Sequence, residues 1–201
     1  PTEPATLQGG PRMAALKCHM HAKPGANLKT TGVGATSSGM AAASPGSATV
    51  HGAADGLALI LRALAFAAHK HRDQRRKDPQ ASPYINHPIA LANVLRNEGG
   101  IDDPTVICAA LLHDTVEDTE TTPEELAREF GPVIREIVLE VTDDTRLTRA
   151  ERKQLQVLHA PGLTREAKLV KLADKICNLR DIASNPPANW DLDRRRQYFD
   201  W

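Results

Sequence analysis

Residues 106–119 have the sequence VICAALLHDTVEDT, and this stretch decides how the rest of the chain is interpreted. Seven apolar residues are followed by an imidazole and three carboxylates within six positions. Buried carboxylates are costly unless they are paired or bind a metal ion. The stretch therefore predicts a buried helix that borders a metal site, if other segments supply further ligands.

On a single helix, the four polar groups of this stretch would share one side. His113 and Asp114 are neighbours, about 100° apart around a helix. Asp114 and Asp118 are four positions apart, as are His113 and Glu117, so the second acids lie one turn further along. Imidazole and carboxylate together suit manganese, iron and zinc. Taken alone, Glu117 and Asp118 are also consistent with the solvated end of a helix.

Two residues elsewhere are candidates for completing the ligand set. His87 precedes Pro88, and proline suits the first turn of a helix. Asp174 lies inside an apolar helical pattern, where aspartate is unfavourable without a partner. Each has a simpler interpretation: His87 as a helix cap, and Asp174 as an ion-pair partner of Lys171 or Lys175. Sequence spacing alone leaves both interpretations open.

The chain divides into a tail and a helical domain. Residues 1–55 are rich in Gly, Ala, Ser, Thr and Pro and hold few large apolar residues, so we predict a disordered tail or leader. Acid-poor composition is also typical of organelle transit peptides. We expect a cytoplasmic protein; a transit peptide would make an organelle the alternative.

Residues 56–201 repeat apolar positions at helical spacing without a convincing strand, which predicts an all-α domain. Because the chain ends at Trp201 within a helical pattern, we expect a domain that is truncated at its C-terminus. The predicted buried positions are Leu57, Ile60, Leu61, Leu64 and Ala68 on the first helix and Leu169, Leu172, Ile176 and Leu179 on a long helix over residues 164–184.

Composition excludes several classes of partner. The chain has 25 basic and 25 acidic residues, so no nucleic-acid footprint is visible. No apolar run approaches the roughly 20 residues of a membrane span. Three scattered cysteines make no metal-binding spacing. We expect neither nucleic acid nor membrane as a partner, while the oligomeric state stays open; a small-molecule nucleotide partner follows only from the resemblance described next.

A histidine, an adjacent His-Asp pair and a distant aspartate together resemble the HD superfamily of metal-dependent phosphohydrolases. Further motifs are similar to the hydrolase domain of the RelA/SpoT homologue family, closest to its small stand-alone metazoan SpoT homologues. This resemblance covers residues 57–201. Its motifs are the segments QRRKDP (74–79), YINHP (84–88), LLHDTVEDT (111–119), EVTDD (140–144) and KLVKLADK (168–175).

The resemblance implies an HD-domain helical bundle with a catalytic Mn²⁺ ion. The implied metal ligands are His87, His113, Asp114 and Asp174. Glu117 and Asp118 match the acidic pair that orients and deprotonates the attacking water. Such a mixed ligand set would leave positions open for water and substrate, as a catalytic metal requires.

The resemblance also implies a set of substrate-binding residues. Arg76 and Lys77 match a basic substrate-binding loop, and their side chains suit phosphate. From the residues alone, a solvated basic loop is the alternative. Asn178 is expected to contact the ribose, Tyr198 matches a substrate-contacting tyrosine, and Arg149 corresponds to a basic residue near the distal phosphates.

The activity that this resemblance implies is hydrolysis of the alarmone ppGpp or pppGpp to GDP or GTP plus pyrophosphate. An alternative is a phosphatase that acts on the 2′-phosphate of NADPH, or another HD nucleotide phosphohydrolase. A non-catalytic alternative is a regulatory fragment of a bifunctional synthetase-hydrolase. Both enzymatic substrates present a ribose phosphate beside a purine, so the sequence leaves the choice open.

Overall fold

The computed structural model describes the backbone of residues 46–201 and the side chains from residue 54 onward. The predicted tail therefore lies largely outside the described residues. Within them the fold is all-α, as predicted, with one isolated bridge between Arg75 and Pro83. None of the described helices is long and apolar enough to cross a bilayer.

Most of the helices are joined by short connections, but residues 71–85 form a longer loop after the first helix. In chain order they are α1 (Gly46–Lys70), α2 (Asn86–Asn93), continued by a π-helical turn (Val94–Glu98), α3 (Pro104–Leu112), α4 (Thr115–Asp118), α5 (Pro123–Phe130), α6 (Pro132–Val141), α7 (Arg149–His159), followed by a 3₁₀ turn (Ala160–Gly162), α8 (Arg165–Ser184) and α9 (Leu192–Asp200).

Helix α3 forms the centre of the bundle. Asp103 caps its N-terminus by accepting a hydrogen bond from the Thr105 N–H, and Pro104 occupies the first turn. All seven residues of 106–112 are buried, since α1, α2, α6 and α8 surround the helix. This central position explains why the apolar run of the sequence has no polar face.

Helix α1 differs from the prediction in its start and in its buried face. It begins at Gly46, before the predicted start near Gly56. The side chains of Leu57 and Leu61 are exposed, whereas Ala63 and Ala67 are fully buried. Small residues allow α1 to pack closely against α3, and this close packing outweighs the burial of larger side chains.

The predicted buried face of α8 is also partly wrong. Leu172 is 59% exposed and Ile176 is exposed as well. The helix instead buries Ala167, Val170, Ala173 and Cys177. Small residues again allow a close approach to α3. Because this face of α8 lies against the bundle, Asp174 is turned inward, which the sequence pattern of large apolar residues did not reveal.

Helix α7 is held differently from the other long helices. Thr148 and Glu151 form a complete capping box at its N-terminus. The helix contains no buried residue, and the side chains of Val157 and Leu158 are exposed. Its attachment therefore depends on polar side chains, which reach the site described next.

Candidate metal centre and catalytic site

Three of the four predicted metal ligands meet in the centre of the bundle. His87 from α2, His113 after α3 and Asp174 from α8 each offer a ligand atom, and these atoms all lie within 4.8 Å of one another. His87 Nε2 is 3.2 Å from Asp174 Oδ1. Both histidines are buried. Residues of α2 and α8 and the residue that follows α3 thus form a cluster that could hold a divalent ion.

The hydrogen bonds of the histidines fit such an ion. His113 Nδ1 lies 2.8 Å from the carbonyl oxygen of Ala110, to which it donates, so Nε2 is the nitrogen that faces the cluster and would bind an ion once it has lost its proton. His87 turns Nε2 toward Asp174, and its Nδ1 is buried without a partner among the described residues. Two imidazoles and a carboxylate are a donor set for manganese, iron or zinc.

Asp114 lies beside this cluster at a break between two helices. The prediction of one continuous helix through the motif is wrong: α3 ends at Leu112, and Asp114 has φ −100° and ψ 0° before α4 begins. This conformation is found at many active sites. Asp114 Oδ2 lies 2.8 Å from His113 Nε2 and accepts a hydrogen bond from the Tyr84 hydroxyl.

Burial and nearby charges together set the pKa shifts at this break. Burial disfavours ionisation of Asp114, but His113 and the Tyr84 hydroxyl outweigh it and lower the pKa of the carboxyl. Burial likewise opposes charge on His113, but Asp114 raises its pKa to about 9. Burial and the Asp114 carboxylate raise the pKa of Tyr84, which therefore stays a neutral donor.

Glu117 is held from both sides by a second group of polar residues. The Arg152 guanidinium donates to Oε1 at 3.0 Å, and the backbone N–H of Asp143 donates to Oε2 at 3.1 Å. Burial raises the pKa of Glu117, against the Asp143 hydrogen bond, and the nearby Asp114 adds to the increase. Glu117 is thus a half-buried carboxylate in a fixed orientation.

Asp118 ends the short helix α4 and is exposed to solvent. The side-chain amide of Gln74 donates to its Oδ2 at 3.0 Å. Gln74 belongs to the loop after α1, 44 residues away in sequence. The predicted acidic pair therefore has one carboxylate held by α7 and the other by this loop.

The same loop carries the predicted phosphate-binding cations. Arg76 is ion-paired with Asp181 of α8, and its guanidinium carbon lies 5.8 Å from the centre of the Tyr84 ring. Lys77 is exposed, and its carbonyl oxygen accepts a hydrogen bond from the Ala188 N–H. The predicted loop is therefore tied to α8 on one side and to the Asp114 partner Tyr84 on the other.

The remaining predicted substrate residues fall into two places. Asn178 lies one turn after Asp174 and donates to its carboxylate. Tyr198 packs against Trp190 with 5.8 Å between the ring centres, and the guanidinium carbon of Arg149 lies 5.5 Å from the Trp190 ring. Burial and the Asp174 carboxylate raise the pKa of Tyr198 to about 12. The charge of Asp174 therefore acts on Tyr198, which connects the Trp190–Tyr198 pair with the metal cluster.

A cavity of about 920 Å³ lies beside the site, between α7, α8 and α9. Asp143, Arg152, Lys175 and Tyr198 are among its lining residues. Lys175 also approaches Asp174, with 3.6 Å between Nζ and Oδ2. Burial lowers the pKa of Lys175, although Asp174 favours its charged form. Arg152 and Lys175 thus connect the wall of this cavity to Glu117 and Asp174, which do not line it themselves.

Sequence reasoning missed three residues that hold this site together: Tyr84, Gln74 and Arg152. Tyr84 and Gln74 stand in motifs that support the family resemblance, but neither spacing nor residue type pointed to their partners. Arg152 contacts a residue 35 positions away. Contacts between such distant segments depend on the packing of helices and leave no periodic signal in the sequence.

A protein-family model described as HD domain matches residues 63–198. The chain belongs to the HD-domain family. This HD-domain protein is 58% identical to the guanosine-3′,5′-bis(diphosphate) 3′-pyrophosphohydrolase MESH1 of Xenopus tropicalis over 144 residues, which are 72% of this chain and 80% of the relative. The Homo sapiens protein of the same name is 56% identical over the same shares of both chains.

A solved structure supports the same assignment. It belongs to a metazoan orthologue of SpoT that is described as hydrolysing ppGpp and acting in starvation responses. The two structures agree with a TM-score of 0.70 and 50% sequence identity, over 72% of this chain and 81% of the other. The predicted HD-type helical fold and the predicted family are thereby confirmed.

Proposed function

We propose that this HD-domain protein hydrolyses ppGpp or pppGpp at the ribose 3′ position and releases pyrophosphate. The observation that carries the proposal is the juxtaposition of a His-His-Asp cluster with the Glu117–Asp118 pair. That arrangement occurs in a chain 56–58% identical to proteins named as ppGpp hydrolases. We assign the activity to the unit of residues 56–201.

We assign the metal to His87, His113, Asp114 and Asp174, with Mn²⁺ as the ion. Asp114 Oδ2 lies 2.8 Å from His113 Nε2, so its carboxylate borders the cluster of the other three residues that would hold the ion. When bound, the ion supplies Lewis-acid stabilisation of the charge that develops on the phosphoryl oxygens. Tyr84 keeps the Asp114 carboxylate oriented and ionised.

The acidic pair divides the handling of water. Glu117, fixed by Arg152 and the Asp143 N–H, accepts a hydrogen bond from the water and orients it. Asp118, exposed and held at Oδ2 by Gln74, takes the proton as water attacks the 3′-linked phosphorus. The P–O3′ bond breaks, and the proton passes to the 3′-oxygen of the departing nucleotide.

Cations near the site recognise the charged substrate. Arg76 can exchange its ion pair with Asp181 for a bidentate contact with phosphate, and Lys77 adds an exposed charge on the same loop. Arg149 and Tyr198 both approach Trp190, where the distal part of a nucleotide would lie. Asn178 is the proposed partner of the ribose.

The decisive assay measures pyrophosphate release from ppGpp by the full chain with Mn²⁺, and with Mg²⁺ or a chelator for comparison. Manganese-dependent release of pyrophosphate and GDP is the expected result. A parallel assay measures phosphate release from NADPH, because a loop that binds ribose phosphates suits either substrate. Faster turnover of NADPH than of ppGpp would overturn the choice of substrate.

A further inference from the structure

We propose that His71 and Gln74 form a positioning pair that fixes the orientation of Asp118. This inference rests on the proposed function, since it concerns the carboxylate to which we assign proton transfer. Gln74 donates from Nε2 to Asp118 Oδ2 at 3.0 Å, and its Oε1 lies 2.6 Å from His71 Nδ1. One side chain thus links a buried imidazole to an exposed acid.

The chemistry of the amide fixes the direction of both hydrogen bonds. A carboxylate only accepts, so Gln74 must turn its NH₂ group toward Asp118 and its carbonyl oxygen toward His71. His71 must then donate from Nδ1. A glutamine turned the other way would present its oxygen to the carboxylate and lose that contact, and it would keep the contact with His71 only if the imidazole proton moved to Nε2. His71 with its proton on Nδ1 therefore selects the orientation in which Gln74 serves Asp118.

The surroundings make this pair rigid. His71 is 2% exposed, and its ring centre lies 4.8 Å from that of Tyr84. The Gln74 N–H donates to the His71 carbonyl oxygen at 3.0 Å, and the Gln74 carbonyl accepts from the Tyr84 N–H at 3.1 Å. These contacts fix the backbone from which the Gln74 side chain extends, and the hydrogen bonds to His71 and Asp118 hold its amide.

The segment from His71 to Tyr84 therefore supplies a hydrogen-bond donor to each of two acidic residues of the site. Tyr84 donates to Asp114, beside the metal cluster, and Gln74 donates to Asp118, on the side of the water. The rings of His71 and Tyr84, which pack at 4.8 Å between their centres with a tilt of 36°, connect the two donors. A change of orientation at one acid would therefore be resisted by the packing at the other.

Two substitutions of His71 separate positioning from packing. His71→Asn retains a donor near the position of Nδ1 but loses the ring, whereas His71→Phe retains the ring and loses the donor. We expect His71→Asn to keep kcat for ppGpp within about threefold and His71→Phe to lower it about tenfold, as for one hydrogen bond to an oriented partner. Thermal stability should follow the opposite order, because the phenyl ring still packs on Tyr84. A kcat that follows thermal stability would overturn the inference.

Substitutions of Gln74 test the same link at a partly exposed position. Gln74→Leu removes both hydrogen bonds and should lower kcat about 10- to 100-fold, with KM and manganese content unchanged. Gln74→Glu faces Asp118 with a like charge and should be more harmful. Gln80→Leu, in the same loop and exposed, is the matched control. A raised KM with normal kcat, or a loss of manganese, would refute a positioning role.

The wild-type protein in the same assay keeps the two proposals apart. If wild type hydrolyses ppGpp and the His71 and Gln74 variants behave like the Gln80 control, the positioning pair is refuted while the function stands. If wild type is inactive on ppGpp but turns over NADPH, the proposed substrate fails. The same variants are then compared on NADPH, where the expected order of kcat is unchanged.

Discussion

Replacing Arg152 with methionine is expected to impair catalysis without weakening substrate binding. Arg152 Nη1 donates to Glu117 Oε1 at 3.0 Å, and the two side chains are only 29% and 18% exposed. A hydrogen bond between charged groups in such a setting contributes about 1.5–3 kcal/mol. Because about 1.4 kcal/mol corresponds to a tenfold change in rate, kcat should fall about 10- to 100-fold.

Loss of the Arg152 charge should also change the pH dependence. The pKa of Glu117 is already raised by burial, and removal of the adjacent cation raises it further. Glu117 must be ionised to orient water, so activity falls as the pH drops through its pKa. A higher pKa moves this acidic limb of the kcat profile to higher pH.

Steady-state kinetics with ppGpp over a range of pH provide the measurement. Arg152→Lys should recover part of kcat, because a cation remains near Glu117. Arg165→Met removes an exposed arginine at the start of α8 and should have no effect. An unchanged kcat in Arg152→Met, or a loss that appears only in KM, would refute the role that we assign to the Arg152–Glu117 contact.

Three further changes test the metal cluster, the acidic pair and the core. Replacing both Glu117 and Asp118 with alanine should abolish hydrolysis but leave manganese bound, as measured by mass spectrometry; loss of metal would make them ligands. Tyr84→Phe removes the donor to Asp114 and should weaken Mn²⁺ binding about 10- to 100-fold by calorimetry, and an unchanged affinity would contradict this. Leu112→Ala empties a fully buried site in α3 and should lower the free energy of unfolding in urea by about 2–5 kcal/mol; a negligible loss would contradict central packing of α3.

The sequence predicted the class of fold and the segments that meet at the site. The apolar run 106–112 predicted a buried helix, and α3 is indeed surrounded by others. Residues expected from family resemblance, His87, His113 and Asp174, lie together in the structure. These features were accessible because a burial pattern and a short motif are each contained in a local stretch of sequence.

Other features depend on packing and were not accessible in this way. The buried faces of α1 and α8 were assigned from leucine and isoleucine, whereas alanines such as Ala63 and Ala173 make the close contacts. The helical pattern of the sequence continues through Asp114, so it did not indicate the break between α3 and α4 at that residue. The contacts of Gln74 and Arg152 join segments that no periodicity relates.

The way in which α7 is attached has a consequence for how the protein loses activity. Arg152 and Gln156, which donate to Glu117 and Asp143, join the helix to the bundle, while no residue of α7 is buried. Segments with little buried apolar surface open locally at a fraction of the global unfolding free energy. Warming should therefore release α7 and disorient Glu117 while α3 is still intact. Loss of activity would then precede unfolding of the whole domain, and a ligand that bridges α7 and α8 would delay this loss of activity.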